Sequence, residues 1–396
     1  MIFEIVSLLN TCLGLNDMKK LMIVIHNLRG GGAERVLVNL LKGLDRNDFS
    51  IRLIVYERIF DYPLPENVEV TSLDIEASRN LFKLIKGFVL KIIRLALLFR
   101  KGSPDVIFSL LSSTNVTVII AKLLSGAKSR VIVSEHTYPS VNLSNEMYGG
   151  ITRLFMKRSY PKADKIIAVS ASIKQDLVLN FDFPETKIEV IYNPVDIGEI
   201  TRLSEEAVEH PWFQGKIPVI VSVGRLTRQK GYPNLLKAFS LVRKELPCLL
   251  SIIGEGEDRR TLLNLAENLG IERDVEFLGF QNNPFKYMGR SSLFVLSSLY
   301  EGFPNVILEA MALGLPVISA DCPSGPGEII ENQKNGILVP VQDERILAGA
   351  IIKVMRDESV RRMLGSAARI RAGDFALEKI VNDYKRVFSE NSPSPV

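Results

Sequence analysis

A chain of 396 residues exceeds what one ordinary hydrophobic core organises, so two domains are expected. With 46% hydrophobic and 24% charged residues and a net charge of +4, the composition is that of a soluble, folded enzyme and excludes a disordered or collagen-like chain. Cys12, Cys248 and Cys322 form no CxxC pair, and only His26, His136 and His210 accompany them, which argues against a disulfide framework or a zinc site and fits a reducing cytoplasm.

Residues 1–16, "MIFEIVSLLNTCLGLN", are apolar but lack the basic n-region and the small-residue cleavage site of a signal peptide, so export is not expected. Because "MKKLMIVIH" from Met18 reads as a normal start into a first strand, residues 1–17 are expected to be an extension, disordered or the product of a misplaced start codon. No run of about 18 residues lacks charge, so no transmembrane helix is expected. "NLRGGGAERV", residues 27–36, sets three glycines between that strand and an amphipathic helix. It is neither a P-loop nor a GxGxxG fingerprint, and reads either as a tight turn or as a loop where backbone and helix start approach a ligand.

Residues 81–101, "LFKLIKGFVLKIIRLALLFRK", carry six basic residues and no acidic one. At 100° per residue Lys83, Lys86, Lys91, Arg94 and Lys101 share an arc of roughly 140°, with leucine, isoleucine and phenylalanine opposite. This basic amphipathic helix is expected to meet an anionic membrane surface; the alternative packs its apolar side on a sheet with a solvated basic face. "LFMKRSYPK" adds cations and aromatics to the same half, where 25 Lys+Arg face 20 Asp+Glu over residues 1–196, against 24 and 25 in the remainder. No nucleic-acid-binding module accompanies the charge, so nucleic acid is not an expected partner.

The short apolar runs "IRLIVY", "DVIFSLL", "SRVIVSEH", "KIIAVS" and "KIEVIYN" alternate with helical ones, the grammar of a parallel sheet. "SEH" places Glu135 and His136 at a strand's carboxyl end, where the histidine is either structural or a cleft residue. A stretch rich in proline and charge from Asn193 breaks the pattern, which resumes with "PVIVSVG", "LLSIIGEG", "VEFLGF", "SLFVLSS" and "LPVISAD". The expected domains are 18–192 and 193–375, both Rossmann-like and doubly wound α/β, with 376–396 a carboxyl-terminal helix returning to the first domain, and a tail. Such pairs leave a central cleft at the carboxyl ends of their strands, the expected nucleotide site.

In the second half, "VSVGRLTRQKG" offers Arg225 and Lys230 just past a strand, as surface cations or as partners of a diphosphate. "EGFPNVILEA", residues 301–310, puts Glu301 in a loop, Pro304 at a helix start and Glu309 on the second turn. The amides of Asn305, Val306 and Ile307 are expected to be unpaired at that dipole-positive end, suited to a phosphate or sugar hydroxyl. Carboxylates accept from hydroxyls rather than touch a diphosphate, so two flanking glutamates suggest a nucleotide sugar; the alternative is two solvated acids. No D-x-D motif, GxSxG elbow or paired Cys/His set is present, so no metal or cofactor is expected, and the chain's own cations and helix dipoles would stabilise a leaving diphosphate.

Together these stretches resemble the retaining glycosyltransferase family 4 enzymes of the GT-B fold, over about Lys20 to Phe388. The most specific element is the E-x7-E pattern at Glu301 and Glu309. The resemblance implies that Glu301 meets the donor sugar and Glu309 the ribose hydroxyls. It makes Phe303, Asn305 and Val306 donor contacts, and gives Arg225 and Lys230 the diphosphate. It also implies that Gly31 and Gly32 close over the donor phosphates and that His136 lies near the reacting sugar. "GGGAERVL", "SEHT" and "DCPSGPGEII" are most similar to enzymes that extend undecaprenyl-diphosphate-linked sugars, including the N-acetylgalactosamine transferases of bacterial N-glycan pathways; many relatives carry arginine where this chain has Gly327.

The expected activity is metal-independent transfer of a hexose or N-acetylhexosamine from a UDP-sugar to a lipid-linked (polyprenyl diphosphate) glycan, with retention implied by the family. Arg225, Lys230, Glu301 and His136 are the candidate catalytic set. Lys83, Lys86, Lys91 and Arg94 are the candidate membrane and acceptor contacts, on a cytoplasmic protein bound peripherally to the inner face of the membrane. The alternatives are a GT-B nucleotide-sugar epimerase and a noncatalytic nucleotide-sugar-binding subunit of a transferase complex.

Overall fold

The computed structural model describes residues 18–66, 68–76, 80–145 and 147–390; the extension expected at 1–17 lies outside them. The chain divides into two compact units, one of residues 18–168, 174–191 and 381–390, the other of 169–173 and 192–380. The last helix, Leu377–Ser389, thus changes unit at residue 381, and the short segment 169–173, expected in the first domain, groups with the second unit.

The first unit is a seven-stranded parallel sheet of β1 (Lys19–Ile25), β2 (Phe49–Val55), β3 (Glu69–Ser72), β4 (Val106–Leu110), β5 (Arg130–Glu135), β6 (Lys165–Ala168) and β7 (Ile188–Val190), in the order 3-2-1-4-5-6-7. Ile23 pairs with Leu53 on one side and Phe108 on the other. Leu21–Ile25 of β1, most of β4 and Val131–Val133 of β5 are apolar without alternation because helices cover both faces of a parallel sheet, and every residue of β4 and β5 is buried. Residues 381–390 complete this core: the Phe108 ring lies 5.8 Å from Tyr384 and 5.2 Å from Phe388, and Phe388 lies 6.1 Å from Phe49.

The second unit is a six-stranded parallel sheet of β8 (Val219–Val223), β9 (Leu249–Ile253), β10 (Val275–Gly279), β11 (Leu293–Leu296), β12 (Val317–Ala320) and β13 (Ile337–Val339), in the order 10-9-8-11-12-13. Leu235, Phe239 and Val242 of the helix Tyr232–Arg243 and Leu347 and Ile351 of the helix Glu344–Arg356 pack with Ile220, Ile252, Val295 and Ile318 in its core. The helices Glu344–Arg356 and Glu358–Ala372 each begin at an aspartate cap: Asp343 accepts from the amides of Arg345 and Ile346, and Asp357 from those of Ser359 and Val360. In each sheet the strand order reverses beside the first strand, between β1 and β4 and between β8 and β11. That reversal opens a crevice at the strands' carboxyl ends.

Candidate active site

In the second unit the crevice between β8 and β11 brings together two residues 71 positions apart. Lys230 ends a 3-10 turn, Arg228–Lys230, after β8; Glu301 lies in the loop after β11. Lys230 Nζ stands 2.6 Å from Glu301 Oε1, and Ser298 Oγ donates to the same oxygen at 2.5 Å. The two loops are sewn together by main chain and side chain: the Leu299 amide donates to the Gln229 carbonyl at 2.8 Å, Gln229 Nε2 to the Tyr300 carbonyl at 2.9 Å and Ser297 Oγ to the Lys230 carbonyl at 2.9 Å. Gly231 follows at φ +62°, and an added Cβ would stand 2.1 Å from the Ser297 carbonyl oxygen, so only glycine lets the turn lie this close.

Glu301 is 6% exposed and Glu309 3% exposed, which removes the reading of both as solvated acids. Arg225, by contrast, is exposed. Pro304 occupies the cap position of the helix Asn305–Ala312, which thus begins one residue after the proline expected in its first turn. The expectation of three unpaired amides at that start is corrected at Ile307, whose N–H donates to the Pro304 carbonyl at 3.0 Å, the tight first-turn bond that proline geometry favours. Asn305 and Val306 are half-buried at the helix start.

Phe303, expected to meet the donor, is 5% exposed. Its ring stacks on Tyr192 at 5.1 Å and lies 5.6 Å from Phe375, so the side chain anchors the loop in an aromatic cluster. Sequence reasoning missed most of the residues that hold this loop. Asn193 Nδ2 donates to Asn305 Oδ1 at 2.8 Å and to the Phe303 carbonyl at 3.4 Å, while Ser324 Oγ donates to the Gly302 carbonyl at 2.5 Å. Ser324 and Gly325 both take positive φ, at +68° and +93°. Glu328 receives the amides of Ala171 and Ser172 at 2.7 and 3.0 Å. Hydroxyl and amide side chains beside "EGFP" and "DCPSGP" were the available signal, without a way to pair them. At Gly327 an added Cβ would meet Asp321 Oδ1 at 3.2 Å. Burial, and then the nearby Glu301 charge, push the Cys322 thiol up, which keeps it protonated.

In the first unit, Gly31 caps the helix Gly32–Gly43 and Gly32 is its first residue. Gly30 takes φ +47°, and a Cβ on Gly31 would stand 2.1 Å from Glu34 Oε2. A carboxylate therefore already lies over the glycine at this helix start. His136 follows β5 directly and is 9% exposed. Its Nε2 lies 3.0 Å from Ser134 Oγ, its Nδ1 is buried without a partner, and burial lowers its pKa to about 3. The ring is neutral at physiological pH, with one nitrogen available to a further hydrogen bond.

Glu135, the last residue of β5, is fully buried in a polar network that sequence reasoning did not find. It accepts from Ser112 Oγ at 2.8 Å, from Asn115 Nδ2 at 3.1 Å and from the Tyr160 hydroxyl. Asn115 also donates to the Ser134 carbonyl at 2.9 Å, fixing the strand end that carries His136. Leu111, between β4 and the helix Ser112–Ser125, holds φ +76°, a strained value for a branched side chain, beside this network.

On the helix Leu81–Gly102 the expected basic arc is divided. Lys91 Nζ sits 4.5 Å from the centre of the Tyr56 ring, half-buried, and Arg94 donates to the Leu73 carbonyl. Burial lowers the Lys91 pKa. Lys83 and Lys86 are exposed. Arg94 and Lys101 are exposed as well, so four of the five cations of the arc stay at the surface and only Lys91 turns inward, drawn by the Tyr56 ring. Among the described residues no helix is long and apolar enough to cross a membrane.

Two parallel α/β sheets, each with its crevice at a reversal of strand order, define the GT-B class of glycosyltransferase. A glycosyltransferase from Rickettsia africae has the same fold at a TM-score of 0.75, with 18% identity over 94% of this chain and 98% of that one. Anabaena HepE, solved with UDP and glucose, has it at 0.76, with 19% identity over 94% and 100%. Residues 30–199 match the family described as Glycosyltransferase Family 4, and residues 205–371 match Glycosyl transferases group 1. A Campylobacter jejuni protein named N-acetylgalactosamine-N,N'-diacetylbacillosaminyl-diphospho-undecaprenol 4-alpha-N-acetylgalactosaminyltransferase is 32% identical over 92% of this chain and 98% of its own length. The amylovoran biosynthesis glycosyltransferase AmsD of Erwinia amylovora is 26% identical over 94% and 100%. The chain belongs to glycosyltransferase family 4.

Proposed function

We propose that this chain transfers a hexose or N-acetylhexosamine from a UDP-sugar to a polyprenyl-diphosphate-linked glycan, with retention and without a metal ion, at the cytoplasmic face of the membrane. The observation that carries the reading is the buried Lys230–Glu301 pair at the β8/β11 reversal, joined to a relative 32% identical over almost its whole length whose name gives an undecaprenyl-diphosphate-linked acceptor. In this reading the second unit holds the donor and the first the acceptor. Lys230 and Arg225 meet the diphosphate, and the helix start at Asn305 and Val306 adds its positive end, so negative charge developing on departing UDP is stabilised by groups already in place. Binding of the diphosphate draws Lys230 from Glu301, whose carboxylate then accepts from a donor-sugar hydroxyl; Glu309 takes the ribose hydroxyls.

His136 and the Gly31–Gly32 loop carry the first unit's share. The imidazole acts as a neutral hydrogen-bonding group, since burial holds it unprotonated, and the loop receives phosphate once the Glu34 carboxylate swings from Gly31. The test is a panel of UDP-sugars with membrane lipid extract as acceptor, scored separately for released UDP and for sugar on lipid, with and without chelator. Lipid-dependent transfer from one donor, unaffected by chelator, is the expected result. UDP-sugar interconversion without acceptor would replace the reading with an epimerase, and no turnover with any donor would replace it with a noncatalytic binding subunit.

A further inference from the structure

Besides Leu84 at 37% exposure, five large apolar residues of the helix Leu81–Gly102 face solvent in one row: Phe82 at 77%, Ile85 at 55%, Val89 at 48%, Ile93 at 50% and Leu97 at 62%. Their spacing of three, four, four and four residues makes one ridge, about 22 Å long at 1.5 Å per residue. The helix has a separate inner face, Ile92, Leu95 and Phe99, buried in the first unit. The outer ridge is therefore surplus to the fold, and a helix that needed only to cover the sheet would carry polar residues there. The apolar surface continues sideways. Phe88 meets Phe155 of the helix Gly149–Ser159 at 5.8 Å, and Ile151, Leu154 and Phe155 of that helix are exposed too.

We propose that this ridge enters an anionic lipid bilayer to the depth of the acyl chains, with Lys83 and Lys86 at its border meeting the headgroups. The proposal deepens the membrane reading above and rests on it: contact runs through apolar insertion, with the basic arc reduced to its rim. Charge complementarity selects the occupant. Neither helix contains an acidic residue, so the charges these two helices themselves contribute are all cationic. A second copy would set these cations against their own equivalents across a two-fold axis. An anionic headgroup layer over hydrocarbon matches both the apolar ridge and its cationic border.

The experiment uses the full chain and its Phe82→Trp variant, with native Trp212 as the subtracted baseline, and vesicles of phosphatidylcholine alone or mixed with phosphatidylglycerol. With mixed vesicles the new indole should shift to shorter wavelength and be quenched by lipids brominated along the acyl chain. In a sedimentation assay a triple variant, Ile85→Asn, Val89→Asn and Ile93→Asn, should bind mixed vesicles at least tenfold more weakly, with unchanged circular dichroism and unchanged transfer to a detergent-solubilised acceptor. Binding without acyl-chain quenching, or no binding by the wild-type chain, would overturn the proposal. A blue shift that grows with protein concentration in the absence of vesicles would overturn it in favour of a second copy. Insertion without transfer to any lipid-linked acceptor would leave the ridge assigned and remove the acceptor reading instead.

Discussion

Lys230 and Glu301 form an ion pair of 2.6 Å with side chains only 15% and 7% exposed, and Ser298 gives the same carboxylate oxygen a second hydrogen bond. A pair this buried gains less from its own attraction than its desolvation costs unless further contacts support it. Its position at the strand reversal then points to a ligand that uses one or both charges. Lys230→Met should lower kcat for transfer about 10²–10³-fold, the range for removing one preorganised charge stabiliser. Glu301→Gln should lower it as well, and the double variant should lose much less than the product of the two, because each single change strands the other charge. Either single variant should also lose up to about 3 kcal/mol in urea unfolding. Undiminished transfer by Glu301→Gln would take the pair out of the reaction.

Gly325 sets the loop over Pro304. At φ +93° an added Cβ would lie 2.4 Å from Pro304 Cδ and 3.1 Å from the Gly302 carbonyl, so Gly325→Ala should destabilise by about 1–3 kcal/mol and raise the KM for donor. Gly349, inside the helix Glu344–Arg356, has no neighbour within 4 Å of the same position. There the change to alanine should stabilise by about 0.5–1 kcal/mol. Thermal or urea melts of both variants check the opposite signs; equal effects would show that the Pro304 contact relaxes freely.

The alternation of apolar runs and amphipathic helices made two doubly wound units legible, because a parallel sheet needs continuous apolar strands and a crossover helix between them. The helix after Pro304 was readable for a local reason too, with proline before the first turn and Gly314 after the last. What could not be read was contact at a distance. Nothing in "GRLTRQKG" says that Lys230 meets Glu301, and nothing in "SEH" says that Glu135 is buried against Ser112, Asn115 and Tyr160. The donor contact of Phe303 came from the resemblance alone, and nothing in the sequence says that its ring packs against Tyr192 and Phe375. On the helix Leu81–Gly102, periodicity located the cations but not the buried strip that divides the apolar residues into an inner face and an outer ridge.

The Glu135 network gives a stability prediction separate from chemistry. The Tyr160 hydroxyl donates to a fully buried carboxylate and its ring stacks on Phe183 at 5.3 Å, so Tyr160→Phe keeps the packing and removes one donor. The expected loss is about 1–3 kcal/mol, that of leaving a buried charged acceptor short of a partner. Because Asn115 bonds both Glu135 and the Ser134 carbonyl, Asn115→Ala should cost at least as much and lower kcat by displacing the strand end under His136. A loss of stability without any change in kcat would confine the network to folding.

His136 carries a pH dependence whose sign follows from its burial. Its pKa falls from the ordinary 6.5 to about 3, so between those values the unfolded chain binds a proton that the native ring refuses. Its contribution is constant above pH 6.5 and is lost as pH falls toward 3, by at most about 1.4 kcal/mol per pH unit. A His136→Gln variant lacks this term. Measured by urea unfolding, the stability of wild type relative to the variant should fall by about 2 kcal/mol between pH 7.5 and pH 5. The same neutrality means that transfer should show no kinetic limb near pH 6.5 arising from this residue. A limb at that pH in wild type, absent in His136→Gln, would instead make the ring a proton carrier with an ordinary pKa.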